Sequence, residues 1–205
     1  EILPSDWSSD VCSSDLVFVD VDANPVQVAT ALTRGAFEYQ GQKCSAASRA
    51  YIPVNLWPAV KERMEADMAA IKTGPVEDFS NFVNAVIDEE SFDKLAAYID
   101  NAKKSPDAEV IMGGTYDKSE GYFIHPTVIL AHKPDYVTMR EELFGPLLTV
   151  YLYEPDKQDE ILDLLDRSTG YALTGAIFSN NRSQIEKLTA RLLPKIGRAS
   201  CRERV

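Results

Sequence analysis

The 205-residue sequence predicts an α/β fold in which helices flank a mostly parallel sheet. Short apolar runs alternate along the chain with longer segments in which apolar residues recur every three or four positions. Residues that begin or end helices, mainly Asn, Gly and Pro, stand between these segments. There is no internal repeat and no low-complexity linker, so the sequence predicts an incomplete piece of one domain.

The first predicted strand and helix lie near the amino terminus. The run VFVDVD at 17–22 is typical of a buried strand. Asn24 and Pro25 then provide an N-cap and a first helical residue, and the apolar spacing predicts a helix to about Tyr39. Gly41 ends this segment.

Two further helices are predicted in the middle of the chain, after a short strand at 50–54. Asn55 is expected to cap the first of them, and Gly74 with Pro75 to end it. The second helix is expected to end before Ser105. The apolar stripes are Leu56, Val60, Met64, Met68 and Ile71 in the first helix, and Phe92, Leu95, Tyr98, Ile99 and Ala102 in the second.

The second half of the chain contributes the remaining strands. VIMGG at 110–114, PTVIL at 126–130 and LLTVYLY at 147–153 predict three of them. LTGAIFS at 173–179 predicts the last strand, and a final helix is expected from about Ser183. The helix before that last strand carries Ile161, Leu162, Leu164 and Leu165.

Both ends of the chain have an unusual composition. Residues 1–16 are rich in Ser and Asp without any period, and residues 196–205 have no apolar pattern. Reverse translation of both ends resembles the oligonucleotide adapters of short-read sequencing. We therefore expect both ends to be artefacts, with Cys12 and Cys201 among them, and the genuine protein segment to be residues 17–195.

Composition and motifs argue against several classes of protein. The formal net charge is −11 and no basic cluster with interleaved aromatic residues is present, so nucleic-acid binding is not expected. No apolar run approaches the roughly 20 residues that span a bilayer, and no secretory signal is visible, so we expect neither membrane insertion nor secretion. Because G-x-G-x-x-G and P-loop motifs are absent, most of any nucleotide site should lie outside the segment.

Cys44 is the one cysteine of the genuine segment, and it follows the glycine turn that ends the first helix. A lone cysteine is often buried and structural, whereas a nucleophilic thiol must be exposed and ionisable. The adjacent Lys43 does not decide the matter, since a neighbouring lysine commonly extends into solvent. The pattern alone leaves both interpretations open. A single unpaired cysteine is compatible with a reducing compartment.

Two motifs, in the right order, resemble those of the aldehyde dehydrogenase superfamily. GQKCSA at 41–46 is similar to its catalytic-cysteine motif, and EELFGP at 141–146 is similar to a second motif about a hundred residues further on. Leu143 stands where the superfamily usually has isoleucine. The similarity extends over residues 17–193 and implies the fold of an aldehyde dehydrogenase catalytic domain.

Further phrases resemble the Δ1-pyrroline-5-carboxylate dehydrogenase branch of this superfamily. They are AFEYQGQKCSAASRAYIP at 36–53, LWP at 56–58, AVIDEESF at 85–92, GYFIHPTV at 121–128 and STGYALTGAIFS at 168–179. The resemblance implies oxidation of L-glutamate γ-semialdehyde to L-glutamate with NAD, in proline breakdown. The choice between NAD and NADP stays open.

The resemblance also implies a role for Cys44. Its thiol would attack the aldehyde carbon to form a thiohemiacetal, and its backbone N–H would help to hold the oxyanion before hydride passes to NAD. The resemblance places the second oxyanion donor and the general base before Val17. We therefore expect the chain by itself to be inactive.

Three other residues match functional positions of the superfamily. Glu142 corresponds to the glutamate that binds the nicotinamide ribose hydroxyls, although an isolated Glu is usually a solvated acid. Phe144 corresponds to the aromatic residue beside the nicotinamide, although it could equally belong to the core. Ser45 corresponds to a residue that contacts the substrate carboxylate, although its hydroxyl could bond to nearby backbone.

Alternative functions remain at this point. They are an aldehyde dehydrogenase for another aldehyde and a catalytically silent relative with a structural or binding role. A Cys–His hydrolase would need His125 or His132 beside Cys44. No metal site is predicted. The intact protein is expected to be a homo-oligomer, a dimer or larger, in the cytoplasm or, in a eukaryote, in the mitochondrial matrix.

The artefact interpretation predicts the result of resequencing. Amplification of the locus from source DNA should give different residues before Val17 and after Lys195, because an adapter replaces the coding sequence there. Recovery of the same two ends from genomic DNA would contradict this interpretation.

Overall fold

The computed structural model describes residues 15–168 and 174–192. Its strands are β1 (Asp15–Val19), β2 (Ala47–Pro53), β3 (Ala108–Met112), β4 (Tyr116–Asp117), β5 (Phe123–Ile124), β6 (Thr127–Ala131), β7 (Leu147–Tyr153) and β8 (Gly175–Phe178). Its helices are α1 (Pro25–Phe37), α2 (Trp57–Ala69), α3 (Glu89–Lys104), α4 (Val137–Arg140), α5 (Gln158–Ser168) and α6 (Arg182–Leu192).

Six strands form one sheet in the order β3-β6-β7-β2-β1-β8. Every pairing in it is parallel except that of β3, which runs antiparallel to β6 at one edge. β4 and β5 form a separate antiparallel pair. The predicted α/β class with a mostly parallel sheet is therefore confirmed, while the antiparallel edge strand was not predicted.

Both faces of the sheet are covered by helices. Phe18 and Tyr51 belong to the core on the side of α3, α5 and α6, whereas Val17, Val19 and Ile52 belong to the core on the side of α1 and α2. Successive residues of a strand point to opposite faces, so burial of both faces requires apolar residues in succession. This is why the central strands are visible in the sequence as continuous apolar runs.

The helix starts differ in how well they were predicted. Asn24 caps α1 as expected, since its side-chain oxygen accepts hydrogen bonds from the N–H groups of Val26 and Gln27. The prediction that Asn55 caps α2 is wrong. Leu56 is the N-cap there and has no capping side chain, while the Asn55 side chain donates instead to the Val21 carbonyl oxygen at 3.4 Å.

The boundaries of β1 also differ from the prediction of 17–22. Asp15 and Leu16 extend the strand by backbone pairing with β2, which does not depend on side-chain identity. The strand ends at Val19 because the buried Asp20 carboxylate turns to polar groups, among them the Ser179 hydroxyl at 2.8 Å. The rest of both adapter-like ends lies outside the described residues, so their origin stays a prediction.

No helix in the described ranges is both long enough and apolar enough to cross a membrane.

The two asparagines that precede helices give a direct test of this account. Asn24→Ala should lower the free energy of unfolding by about 1 kcal/mol, because it removes the acceptor of two otherwise unpaired N–H groups. Asn55→Ala, the matched control, should cost less because Asn55 caps nothing. Urea denaturation of the full-length protein measures both, and equal losses would contradict the capping assignment.

Candidate active site

Cys44 lies on a turn between a 3-10 turn (Glu38–Gly41) and the start of β2. The Ala46 N–H donates to the Lys43 carbonyl oxygen at 3.1 Å and closes this turn. The Cys44 side chain is exposed, so it is not a buried structural cysteine. The thiol is therefore accessible to a small molecule.

Lys43 does not extend freely into solvent beside the thiol. Its ammonium nitrogen lies 3.5 Å from a carboxylate oxygen of Glu38 and 5.8 Å from the centroid of the Tyr39 ring. Glu38 also accepts a hydrogen bond from Arg34, and Arg34 first, with Lys43 after it, lowers the pKa of Glu38. The charge of Lys43 is thus engaged by Glu38.

Ser45 is exposed next to Cys44, and its hydroxyl makes no hydrogen bond within the described part of the chain. It lines a recess of about 150 Å³ between α1 and the amino ends of β1, β2 and β8. The wall of this recess includes Gly35, Ala47 and Thr174. The local backbone bond considered from the sequence is not present among these residues.

Glu142 and Phe144 lie on the loop between α4 and β7. Glu142 is half-buried, and this burial raises the pKa of its carboxyl group to about 7, against the opposing effect of Lys94. Its carboxylate accepts no hydrogen bond from the described residues. Phe144 is 38% exposed, so it is not an ordinary core residue.

The fold brings the two loops together. β2 and β7 are parallel neighbours, with Arg49 opposite Thr149, so the loops that precede them meet at the same edge of the sheet. A Cβ atom on Gly41 would lie 2.3 Å from the Gly145 carbonyl oxygen, which shows how closely the two backbones approach. The buried Arg49 guanidinium also joins β2 to α4 through its hydrogen bond to the Met139 carbonyl oxygen at 2.9 Å.

Unusual backbone conformations are concentrated in these two loops. In the described residues, only three non-glycine residues have a left-handed φ, and these are Tyr39 at 53°, Gln40 at 58° and Phe144 at 57°. Such conformations are costly for residues with a Cβ and recur at functional sites. Gly41 continues the left-handed run at 64°.

Helix α3 holds the loop that carries Glu142. The Lys94 ammonium donates to the Glu142 carbonyl oxygen at 3.0 Å, and the Tyr98 hydroxyl donates to the Glu141 carboxylate. Leu95 packs against Gly145 so closely that a Cβ there would lie 2.4 Å from its methyl groups. The sequence showed only the helical stripe of α3, and its spacing could not identify the loop as the partner.

The segment before α3 is tied to the cysteine turn. The Gln40 side chain donates to the Ala85 carbonyl oxygen at 3.2 Å, and the Gln42 side chain accepts from the Ile87 N–H at 3.0 Å. Three segments far apart in the sequence therefore converge beside Cys44.

The histidines do not form a pair with Cys44. His132 follows β6 and therefore lies at the carboxyl ends of the parallel strands, whereas Cys44 lies at their amino ends. His125 precedes β6, and β7 lies between β6 and β2. Two strand spacings amount to about 10 Å. Within residues 15–168 and 174–192, no group of three His, Cys, Asp or Glu residues could hold a metal ion.

Comparison with known proteins identifies relatives of the chain. The model of the aldehyde dehydrogenase family matches residues 8–201. The mitochondrial Δ1-pyrroline-5-carboxylate dehydrogenase of Dictyostelium discoideum is 56% identical over 153 residues, which are 75% of this chain and 27% of that protein. The chain thus spans less than a third of the length of this relative.

Two solved structures have the same fold. The Δ-pyrroline-5-carboxylate dehydrogenase of Mycobacterium tuberculosis, bound with NAD, matches with a TM-score of 0.83 at 40% identity over 91% of this chain and 34% of that one. The betaine aldehyde dehydrogenase of Staphylococcus aureus matches with a TM-score of 0.82 at 26% identity over 92% of this chain and 37% of that one.

The raised pKa of Glu142 predicts a pH-dependent loss of stability. A carboxyl group whose pKa is higher in the fold than in the unfolded chain stabilises the fold fully below about pH 4.5, and this contribution is lost as the pH rises through about 7. Glu142→Gln should therefore raise the free energy of unfolding at pH 8, by about 1 kcal/mol since the group is half exposed, and change it little at pH 4.

Denaturation of the full-length protein at the two pH values tests this prediction. Glu120→Gln is the matched control, because it removes the same charge from an exposed position in the β4–β5 hairpin. A gain for Glu142→Gln that is equal at both pH values, or no larger than the control's, would show that burial of the carboxylate is not its cause.

Proposed function

The chain belongs to the aldehyde dehydrogenase family, and from this premise we propose that its parent protein oxidises L-glutamate γ-semialdehyde to L-glutamate with NAD. The observation that carries the proposal is the exposed Cys44 on a turn in backbone contact with the Glu142–Phe144 loop. The identity to proteins named Δ1-pyrroline-5-carboxylate dehydrogenase supports the choice of substrate.

In the proposed reaction, Cys44 acts as the nucleophile. The thiol loses its proton to solvent, and its sulfur bonds to the aldehyde carbon. The π bond of the carbonyl breaks, and its electron pair gives the oxygen the negative charge of the thiohemiacetal. The Cys44 backbone N–H, at the start of the turn, is the donor that this chain contributes to the oxyanion. Hydrolysis of the later thioester needs a base, which we assign to no residue of this chain.

The residues of the second loop fit a nicotinamide cofactor. The half-buried Glu142 carboxylate, which accepts no hydrogen bond from residues 15–168 and 174–192, suits the two hydroxyls of a ribose. The exposed Phe144 ring offers an apolar surface beside them. NAD, when bound, supplies the acceptor for the hydride that leaves the substrate carbon.

Ser45 is the proposed contact for the polar head of the substrate. Its hydroxyl, which has no hydrogen-bond partner in the described part of the chain, is adjacent to Cys44, and the residue lines the recess at the amino ends of β1, β2 and β8. A hydroxyl that must pair with the substrate favours an aldehyde that carries a carboxylate over a simple alkyl aldehyde.

Two alternatives are less well supported. An enzyme for another aldehyde, such as betaine aldehyde, is less well supported because the identity to the Staphylococcus aureus protein is 26%, against 40% to the Mycobacterium tuberculosis protein. A catalytically silent relative would not need an exposed Cys44 or a strained Phe144 backbone. We further propose a homo-oligomer located in the cytoplasm, or in the mitochondrial matrix if the source is a eukaryote.

Substrate preference and loss of the thiol together test the function. The full-length protein should form NADH from L-glutamate γ-semialdehyde with a kcat/KM at least about a hundredfold higher than from propanal, because propanal lacks the polar head that the substrate site would bind. Cys44→Ala should abolish turnover while NAD still binds in calorimetry. Residues 1–205 alone are expected to show neither turnover nor saturable NAD binding.

Ser80→Ala is the control for Cys44→Ala and should keep wild-type turnover, since it changes a small polar side chain on an exposed turn between α2 and α3. Equal efficiency with propanal would favour the alternative of another aldehyde. Activity of Cys44→Ala within tenfold of wild type would remove Cys44 from the mechanism.

A further inference from the structure

The orientation of the Glu142 side chain depends on the residue before it. Glu141 has an extended backbone, with φ −98° and ψ 147°. In an extended segment, successive side chains leave the backbone on opposite sides. A contact that holds the Glu141 side chain on α3 therefore also fixes the side from which the Glu142 side chain leaves the backbone, within the electrostatic influence of Lys94.

Tyr98 makes this contact. Its hydroxyl donates to the Glu141 carboxylate, across 43 residues of sequence. Burial first, and the neighbouring carboxylate second, raise the pKa of Tyr98 to about 12, so the hydroxyl keeps its proton and remains a donor at neutral pH. One turn earlier on α3, Leu95 packs against Gly145 and fixes the far end of the loop.

We propose that Tyr98 is a positioning residue for cofactor binding, which acts by holding Glu141 so that Glu142 faces the ribose hydroxyls. This inference rests on the proposed function, because it presumes that Glu142 meets a nicotinamide nucleotide. In this proposal Tyr98 contacts neither substrate nor cofactor. Its loss should change the affinity for NAD and leave the reactivity of Cys44 unchanged.

The test uses the full-length protein with Cys44→Ala, which allows NAD to bind without turnover. Tyr98→Phe should weaken NAD binding in calorimetry about tenfold, in keeping with the loss of a hydrogen bond to a charged group. Glu141→Ala should weaken NAD binding to a similar extent. The double variant should bind NAD no more weakly than the single variant that has the lower affinity. Glu141→Gln keeps an acceptor oxygen and should retain affinity within about threefold.

Two measurements separate positioning from a general structural role. Tyr116→Phe removes a tyrosine hydroxyl whose pKa is raised by Asp100, an acid of α3, and should leave NAD affinity unchanged. With Cys44 restored, Tyr98→Phe should react with iodoacetamide at the wild-type rate, because the cysteine turn is held by other contacts.

The outcomes are distinguishable. NAD affinity of Tyr98→Phe within twofold of its parent, or additive losses in the double variant, would overturn the positioning role while the proposed function stands. Slower iodoacetamide reaction together with weaker binding would also overturn it, since the damage would then be general. Failure of the parent protein to bind NAD at all would overturn both proposals.

Discussion

The candidate site depends on the close approach of the Gly41 backbone to the Gly145 carbonyl oxygen. No side chain can be accommodated at Gly41, because a Cβ would lie 2.3 Å from that oxygen and the backbone is left-handed there. The contact presses the turn that carries Cys44 against the loop that carries Glu142 and Phe144. The proposed nucleophile Cys44 and the Glu142 carboxylate, nearly a hundred residues apart, thereby share one edge of the sheet.

The rest of the domain supplies the rigidity that this contact requires. Helices cover both faces of the sheet, and the parallel pairing of β2 with β7 places the two loops side by side. The left-handed residues Tyr39, Gln40 and Phe144 would be unfavourable in an isolated peptide. The surrounding hydrogen bonds hold them in place, among them those of Gln40 and Gln42 to the segment before α3.

Helix α3 contributes both to the core and to the loop that carries Glu142. Leu95 and Ile99 are fully buried in the core beneath the sheet. Lys94 and Tyr98, one turn apart, face the loop before β7 and bond to Glu142 and Glu141. Stability and site geometry are thus coupled in one helix. The apolar stripe predicts only the contribution of α3 to the core, and not its contacts with the loop before β7.

The sequence by itself determined the alternation of strands and helices, the Asn24 cap and the boundaries of β7. Each of these depends on residues within a few positions of one another, where backbone periodicity relates sequence to structure directly. The motif around Cys44 was also visible, although its pattern left open whether the thiol is buried.

Only the tertiary structure decided that Cys44 is exposed, that Glu142 is half-buried, that β3 is antiparallel and that Asn55 caps nothing. Burial and partner choice depend on contacts between residues tens of positions apart, such as Tyr98 with Glu141, and no local period encodes these contacts.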